Sequence, residues 1–208
     1  MIREGATLAP SLHVHGGGMS RVVDRGAIFA GWVGVGMASV IVLSFELVVP
    51  LQTVVFLMAP LSGLLIGYYA NARFHDPSTP WRRILANGAY AGLVTGVALA
   101  LMYVAVRLLF VYADDGYRIA SQGGQLTCST GVDCTYKRYL DDPATAAQLR
   151  ADGVNDAASF QSYYLRQQLD GSLVLIALVG IGGILGAAGY GASRPRTSTT
   201  PEARQPSA

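Results

Sequence analysis

The chain has 208 residues, 51% of them hydrophobic and 13% charged, with a mean hydropathy of +0.37. Soluble domains carry about 25% charged residues, so much of this surface is not built to face water. The net charge of +2 is small, and the basic residues are not gathered into the face that RNA or DNA requires, so nucleic acid is excluded as a partner.

Residues 1–25 are polar and Gly-rich and read as a disordered cytoplasmic tail. His13 and His15 precede Gly16, Gly17 and Gly18 there. Two histidines without a third ligand do not make a metal site. The glycines do not follow a strand and so do not form a phosphate cradle.

Four apolar runs follow, at roughly 27–49, 51–70, 84–112 and 172–192. A helix needs about 20 apolar residues to cross about 30 Å of hydrocarbon, and each run is long enough. The expected fold is therefore an all-α integral membrane protein with four transmembrane helices arranged as two hairpins. Barrel strands are excluded, because the runs do not alternate and are too long. No small-residue cleavage site follows the first run, so it reads as a signal anchor and not as a cleaved signal peptide. The third run exceeds the bilayer thickness and should tilt or protrude. Pro60 should kink the second.

Charge sets the orientation. Arg3, Arg21 and Arg25 precede the first run. Arg73, Arg82 and Arg83 follow the second, beside His75 and Asp76, and Arg194, Arg196 and Arg204 follow the fourth. Basic residues near membrane ends stay in the cytoplasm, which places both termini inside, in a cell membrane of bacterial inner-membrane type. The organisation reads as a tail (1–25), helices one to three (26–112), an extracytoplasmic loop (113–170), helix four (171–192) and a second disordered tail (193–208). A tight turn at Pro50 joins the first two helices on the outer side.

The loop is acidic overall and holds the only two cysteines, Cys128 and Cys134. A pair six residues apart in an oxidising compartment points to a disulfide. A zinc site would need ligands that the loop lacks, so no metal and no cofactor are expected. Pro143 suits a helix start, and Asn155 suits the cap of a second short helix with Ala157, Phe160, Tyr164 and Leu165 on one face.

Small residues recur at helical spacing: Ala30, Gly34 and Ala38; Gly63 and Gly67; Gly88, Gly92, Gly96 and Ala100; Gly182, Gly183, Gly186 and Ala187. Such stripes let membrane helices approach closely. They serve either a four-helix bundle or contact with a second copy or another subunit. Trp32, Tyr68, Tyr69, Trp81 and Tyr190 mark one interface, and Tyr103, Phe110, Tyr112, Tyr163 and Tyr164 the other. The starts of the first and third runs resemble each other, as do the ends of the second and fourth. Two hairpin repeats of the transporter kind and chance matching of Gly/Ala-rich spans both explain this.

Glu46 and Arg107 are the only charges inside the apolar runs and are the candidate binding residues. An ionisable group in a span is a functional hypothesis by default. Both lie near the outer ends of their helices, where an ion pair or a snorkelling Arg serves structure equally well. No nucleophile motif, P-loop, dinucleotide fingerprint or metalloprotease helix is present, so no catalytic residues are assigned. Three functions stay open. The first is a non-enzymatic accessory or scaffold subunit, in contact with lipid and with other membrane subunits or its own copies. The second is an oligomeric small-solute transporter or channel using Glu46, Arg107, Asn87, Thr95 and Pro60. The third is an outer-face sensor or enzyme with its chemistry in the acidic loop, which a pocket lined by Asp114, Asp115, Arg118 and Tyr136 would favour.

Overall fold

The computed structural model describes residues 23–48, 52–73, 78–112 and 128–194. His13 and His15, the turn expected at Pro50, His75, residues 114–118 and both chain ends lie outside these residues. The described chain is helical throughout, without strands, in the order α1 (Arg25–Val42), a π-helical segment (Leu43–Val48), α2 (Gln52–Ala72), α3 (Trp81–Tyr112), α4 (Val132–Asp141), α5 (Pro143–Ala151) and α6 (Ala157–Ser193). Four helices are long and apolar enough to cross a membrane.

These four pack as a bundle in which α2 and α3 each contact all the others, while α1 and α6 are not a closely packed pair. A two-fold repeat of the hairpins α1–α2 and α3–α6 would map the α2–α3 contact onto an equal α6–α1 contact, so the packing does not follow the sequence resemblance.

The centre is built from backbone. A Cβ on Gly67 would overlap the carbonyl of Gly183, and one on Gly63 that of Val179. A Cβ on Gly182 would overlap the Pro60 carbonyl, and one on Gly186 that of Leu64. On the other side of α6, the Gly92 position lies 3.0 Å from the Val179 carbonyl and the Gly96 position 3.1 Å from the Ile176 backbone. The small-residue stripes of α2, α3 and α6 are thus consumed inside the bundle. Leu99, Leu175, Val179, Val55 and Tyr103 fill the space between them. Outward, the bundle presents Leu57, Leu65, Leu101, Leu173 and Leu185 to its surroundings, an apolar exterior over an equally apolar core.

Two sequence readings need correction. The fourth helix does not begin near 171 but at Ala157, and 37 residues at 1.5 Å each span about 55 Å. Asp156, not Asn155, caps it: its carboxylate accepts from the Ser159 N–H at 2.7 Å, completing a capping box. Phe160, Tyr164, Gln168 and Ser172 then recur every fourth residue on the buried face, while Leu165 points out. The interface aromatics also divide. Trp32, Trp81, Tyr68 and Tyr112 are exposed, but Tyr103, Tyr164 and Tyr190 are buried packing residues. Tyr103 meets Phe56 edge-on at 5.9 Å.

At one end of the bundle, α4 and α5 form a cap against the ends of α3 and α6. Val111, Leu149, Val154, Phe160 and Tyr164 make its core. Helix α5 starts at Pro143 with Asp142 as its cap. It stops in a Schellman turn: Val154 N–H reaches the Leu149 carbonyl at 2.9 Å and Gly153 N–H the Arg150 carbonyl at 3.1 Å. Gly153 has φ +75°, a conformation that glycine adopts at little cost. The packing of Val154 on Leu149 completes the motif.

Candidate functional site

The structure brings Glu46 and Arg107 together at the capped end. An Nη2 of Arg107 lies 3.1 Å from Glu46 Oε2. Glu46 sits in the π-helical segment that continues α1. Such wide turns are rare and recur at functional sites. Glu46 is only 2% exposed, whereas the Arg107 side chain retains 24%. Arg107 lies 5.4 Å from the centre of the Tyr103 ring, and its carbonyl accepts from the Tyr164 hydroxyl at 3.3 Å.

Arg107 has a second role. Between the cap and the bundle lies a cavity of about 120 Å³. Arg107 of α3 and Gln168 of α6 contribute from the bundle. Tyr139 of α4 and Thr145, Gln148 and Leu149 of α5 contribute from the cap, and Tyr163, Tyr164 and Gln167 extend the α6 side. A pocket lined by Asp114, Asp115, Arg118 and Tyr136 would have favoured the outer-face reading; the described lining of this cavity is made of other residues. Tyr136 is not part of the lining and packs on Phe160, while residues 114, 115 and 118 lie outside the described chain. The missed lining residues Gln148, Gln167 and Gln168 carried one signal. Gln168 falls on the same i, i+4 row as Phe160 and Tyr164, so a buried polar position was predictable once the helix was continuous.

Cys128 and Cys134 form a disulfide with Cα atoms 5.6 Å apart, within the range that bridging requires. It ties the approach to α4 onto its first turn. Cys134 is buried. Among the described residues, no group of three His, Cys, Asp or Glu side chains is placed to hold a metal.

A second polar cluster, missed as a unit in the sequence, lies at the opposite end. Asn87 of α3 donates to Asp24 at 2.9 Å and to Asn71 of α2 at 3.1 Å, and accepts from the Asp24 N–H at 3.0 Å. Asn71 donates to the carbonyls of Gly67 and Ile84. Arg83 pairs with Asp24 at 2.8 Å. Three helices are joined where their apolar stretches begin. Thr95, the other polar span residue singled out above, donates to its own helix at the Ala91 carbonyl, 2.8 Å away.

No known protein family, curated protein or solved structure matches this chain.

Proposed function

We propose that this is a multi-pass cell-membrane protein with both chain ends in the cytoplasm, acting as a non-enzymatic accessory or scaffold subunit that presents its helical cap on the extracytoplasmic side. The four apolar helices support the embedding, since an exterior of leucines suits hydrocarbon. Arg25, Arg73, Arg82, Arg83 and Arg194 cluster at the uncapped end, in keeping with a cytoplasmic face. The disulfide belongs to the capped end, in keeping with an oxidising compartment.

The observation that carries the accessory reading is the backbone-to-backbone closure of α2, α3 and α6 at their glycines. It leaves no room for a polar path between these helices. The polar residues a transporter would use are engaged in holding the fold: Asn87 in the three-helix cluster, Thr95 on its own backbone, Glu46 on Arg107. A bundle of this kind is an anchor, and the structured part facing outward is the cap.

Two measurements test the proposal. Membrane-impermeant thiol reagents applied to intact, reduced cells should label Cys128, the more accessible of the two thiols, and labelling only after lysis would overturn the orientation. Purification from native membranes in mild detergent should recover discrete partner proteins that are lost when residues 128–155 are replaced by a short linker. A homo-oligomer free of partners that supports solute flux in proteoliposomes would overturn the accessory reading in favour of transport.

A further inference from the structure

Helices α1 and α3 both begin at the uncapped end and run packed together toward the cap. Asp24 fastens their starts to each other, through Arg83 at 2.8 Å and the Asn87 side chain at 2.9 Å. Further along they meet at Gly31, where a Cβ would stand 3.3 Å from Val94 Cγ1 and 3.8 Å from Tyr90 Cε1. Helix α6 lies on another face of α3, against Gly88, Gly92 and Gly96, so it does not cover this seam.

Exposed side chains border the seam on both sides. On α1, Arg25, Ile28 and Trp32 recur at helical spacing and are exposed, Trp32 to 73%. On α3, Arg83, Tyr90 and Val97 follow one another at seven-residue steps, which keeps them on one row, and they are exposed as well. Close packing at a glycine between two such rows leaves a shallow groove. Its walls are apolar, and its head, at the starts of α1 and α3, is basic.

Charge then selects the occupant. Asp24, Arg25, Arg82 and Arg83 stand at the two helix starts, three cations against one carboxylate. Asp24 holds Arg83. Arg25 and Arg82 are exposed and, among the described residues, make no ion pair or hydrogen bond. The walls suit a hydrocarbon chain, and the head suits a negative charge at one end of it. An anionic phospholipid supplies both. A zwitterionic phospholipid fits the walls equally well but brings its own cation to the arginines. Trp32 and Tyr90 on the walls are the side chains that favour the headgroup level of a bilayer, and basic residues at that level attract anionic lipids.

We propose that the groove between α1 and α3 binds one anionic phospholipid from the leaflet at the uncapped end. Its phosphate is held by Arg25 and Arg82 beside the Asp24–Arg83 pair, and one acyl chain lies over the Gly31 seam between Trp32 and Tyr90. This rests on the membrane embedding and not on the accessory role.

Trp32 is the reporter. The chain has two tryptophans, so the full chain carrying Trp81→Phe fluoresces from Trp32 alone. It is reconstituted in phosphatidylcholine vesicles with a minor, varied fraction of lipid bearing brominated acyl chains, which quench on contact. Brominated phosphatidylglycerol should quench Trp32 half-maximally at about 25-fold lower mole fraction than brominated phosphatidylcholine, about fivefold for each of the two arginines. Arg25→Gln and Arg82→Gln, both at exposed positions, should each cut that preference about fivefold, and the double variant should abolish it. Native mass spectrometry of the unaltered chain gives a second reading: one phosphatidylglycerol should stay bound under conditions that strip phosphatidylcholine. Equal quenching by the two lipids overturns the proposal in favour of unselective boundary lipid. A preference that survives in the double variant overturns it by placing the site elsewhere. A chain that stays in solution without detergent and is quenched by neither lipid refutes the embedding itself, which separates that failure from the other two.

Discussion

Arg107 reaches from α3 to Glu46 at the π-helical end of α1, closing to 3.1 Å on a carboxylate that is almost wholly enclosed while the guanidinium keeps contact with its surroundings. The two partners are therefore unequal, and their removal should not cost the same.

Arg107→Leu leaves a buried carboxylate without its counter-charge and should destabilise the fold by about 3 kcal/mol. Glu46→Leu leaves an arginine able to turn outward and should cost about 1 kcal/mol. The double Leu variant should recover most of the Arg107→Leu loss, and exchanging the two residues should be milder than that loss, since each charge stays partnered. Denaturant unfolding in detergent, followed by helical ellipticity, checks the order. If both single variants unfold like the parent, the pair contributes nothing to stability.

The glycines of α2 and α6 make a second test. Gly67→Ala places a methyl group against the Gly183 carbonyl, with backbone on both sides and no side chain able to give way. Separation of the two helices should cost about 1–3 kcal/mol, as other overpacked cores do. Gly180→Ala, on the same helix α6, meets no atom within 4 Å and should leave the melting temperature unchanged. Equal effects of the two substitutions would show that α2 and α6 do not touch at these positions.

The cap carries its own pH dependence. The Thr145 hydroxyl and N–H hold the Asp142 carboxyl below its ordinary value of 3.8, and the Ser159 N–H and hydroxyl do the same for Asp156. A lowered folded pKa means that this stabilisation is complete above the unfolded value and is lost as pH falls through the folded one. The starts of α5 and α6 should therefore loosen below about pH 4, seen as faster amide exchange in residues 143–146 and 157–160 while the bundle stays protected. Asp142→Asn with Asp156→Asn should remove that pH dependence. A cap whose exchange has the same pH profile in parent and variant would disprove the role of these carboxylates.

Four long apolar helices, the Pro143 helix start and the cysteine pairing were legible in the sequence because each rests on local chemistry: run length, a fixed φ, and two thiols six residues apart. The closeness of Glu46 and Arg107 was legible only as a match in height, since nothing in either helix says which way it is rotated. That rotation comes from packing, where the π-helical turn and the glycine contacts of α2, α3 and α6 set the faces. The same holds for the cavity. Gln148, Gln167 and Gln168 are unremarkable in a polar stretch of sequence, and they converge only because α6 runs unbroken past the bundle and gives the cap a rigid wall to fold against. Local sequence decides which segments are helices; the choice of neighbours belongs to surfaces that meet only in the folded chain.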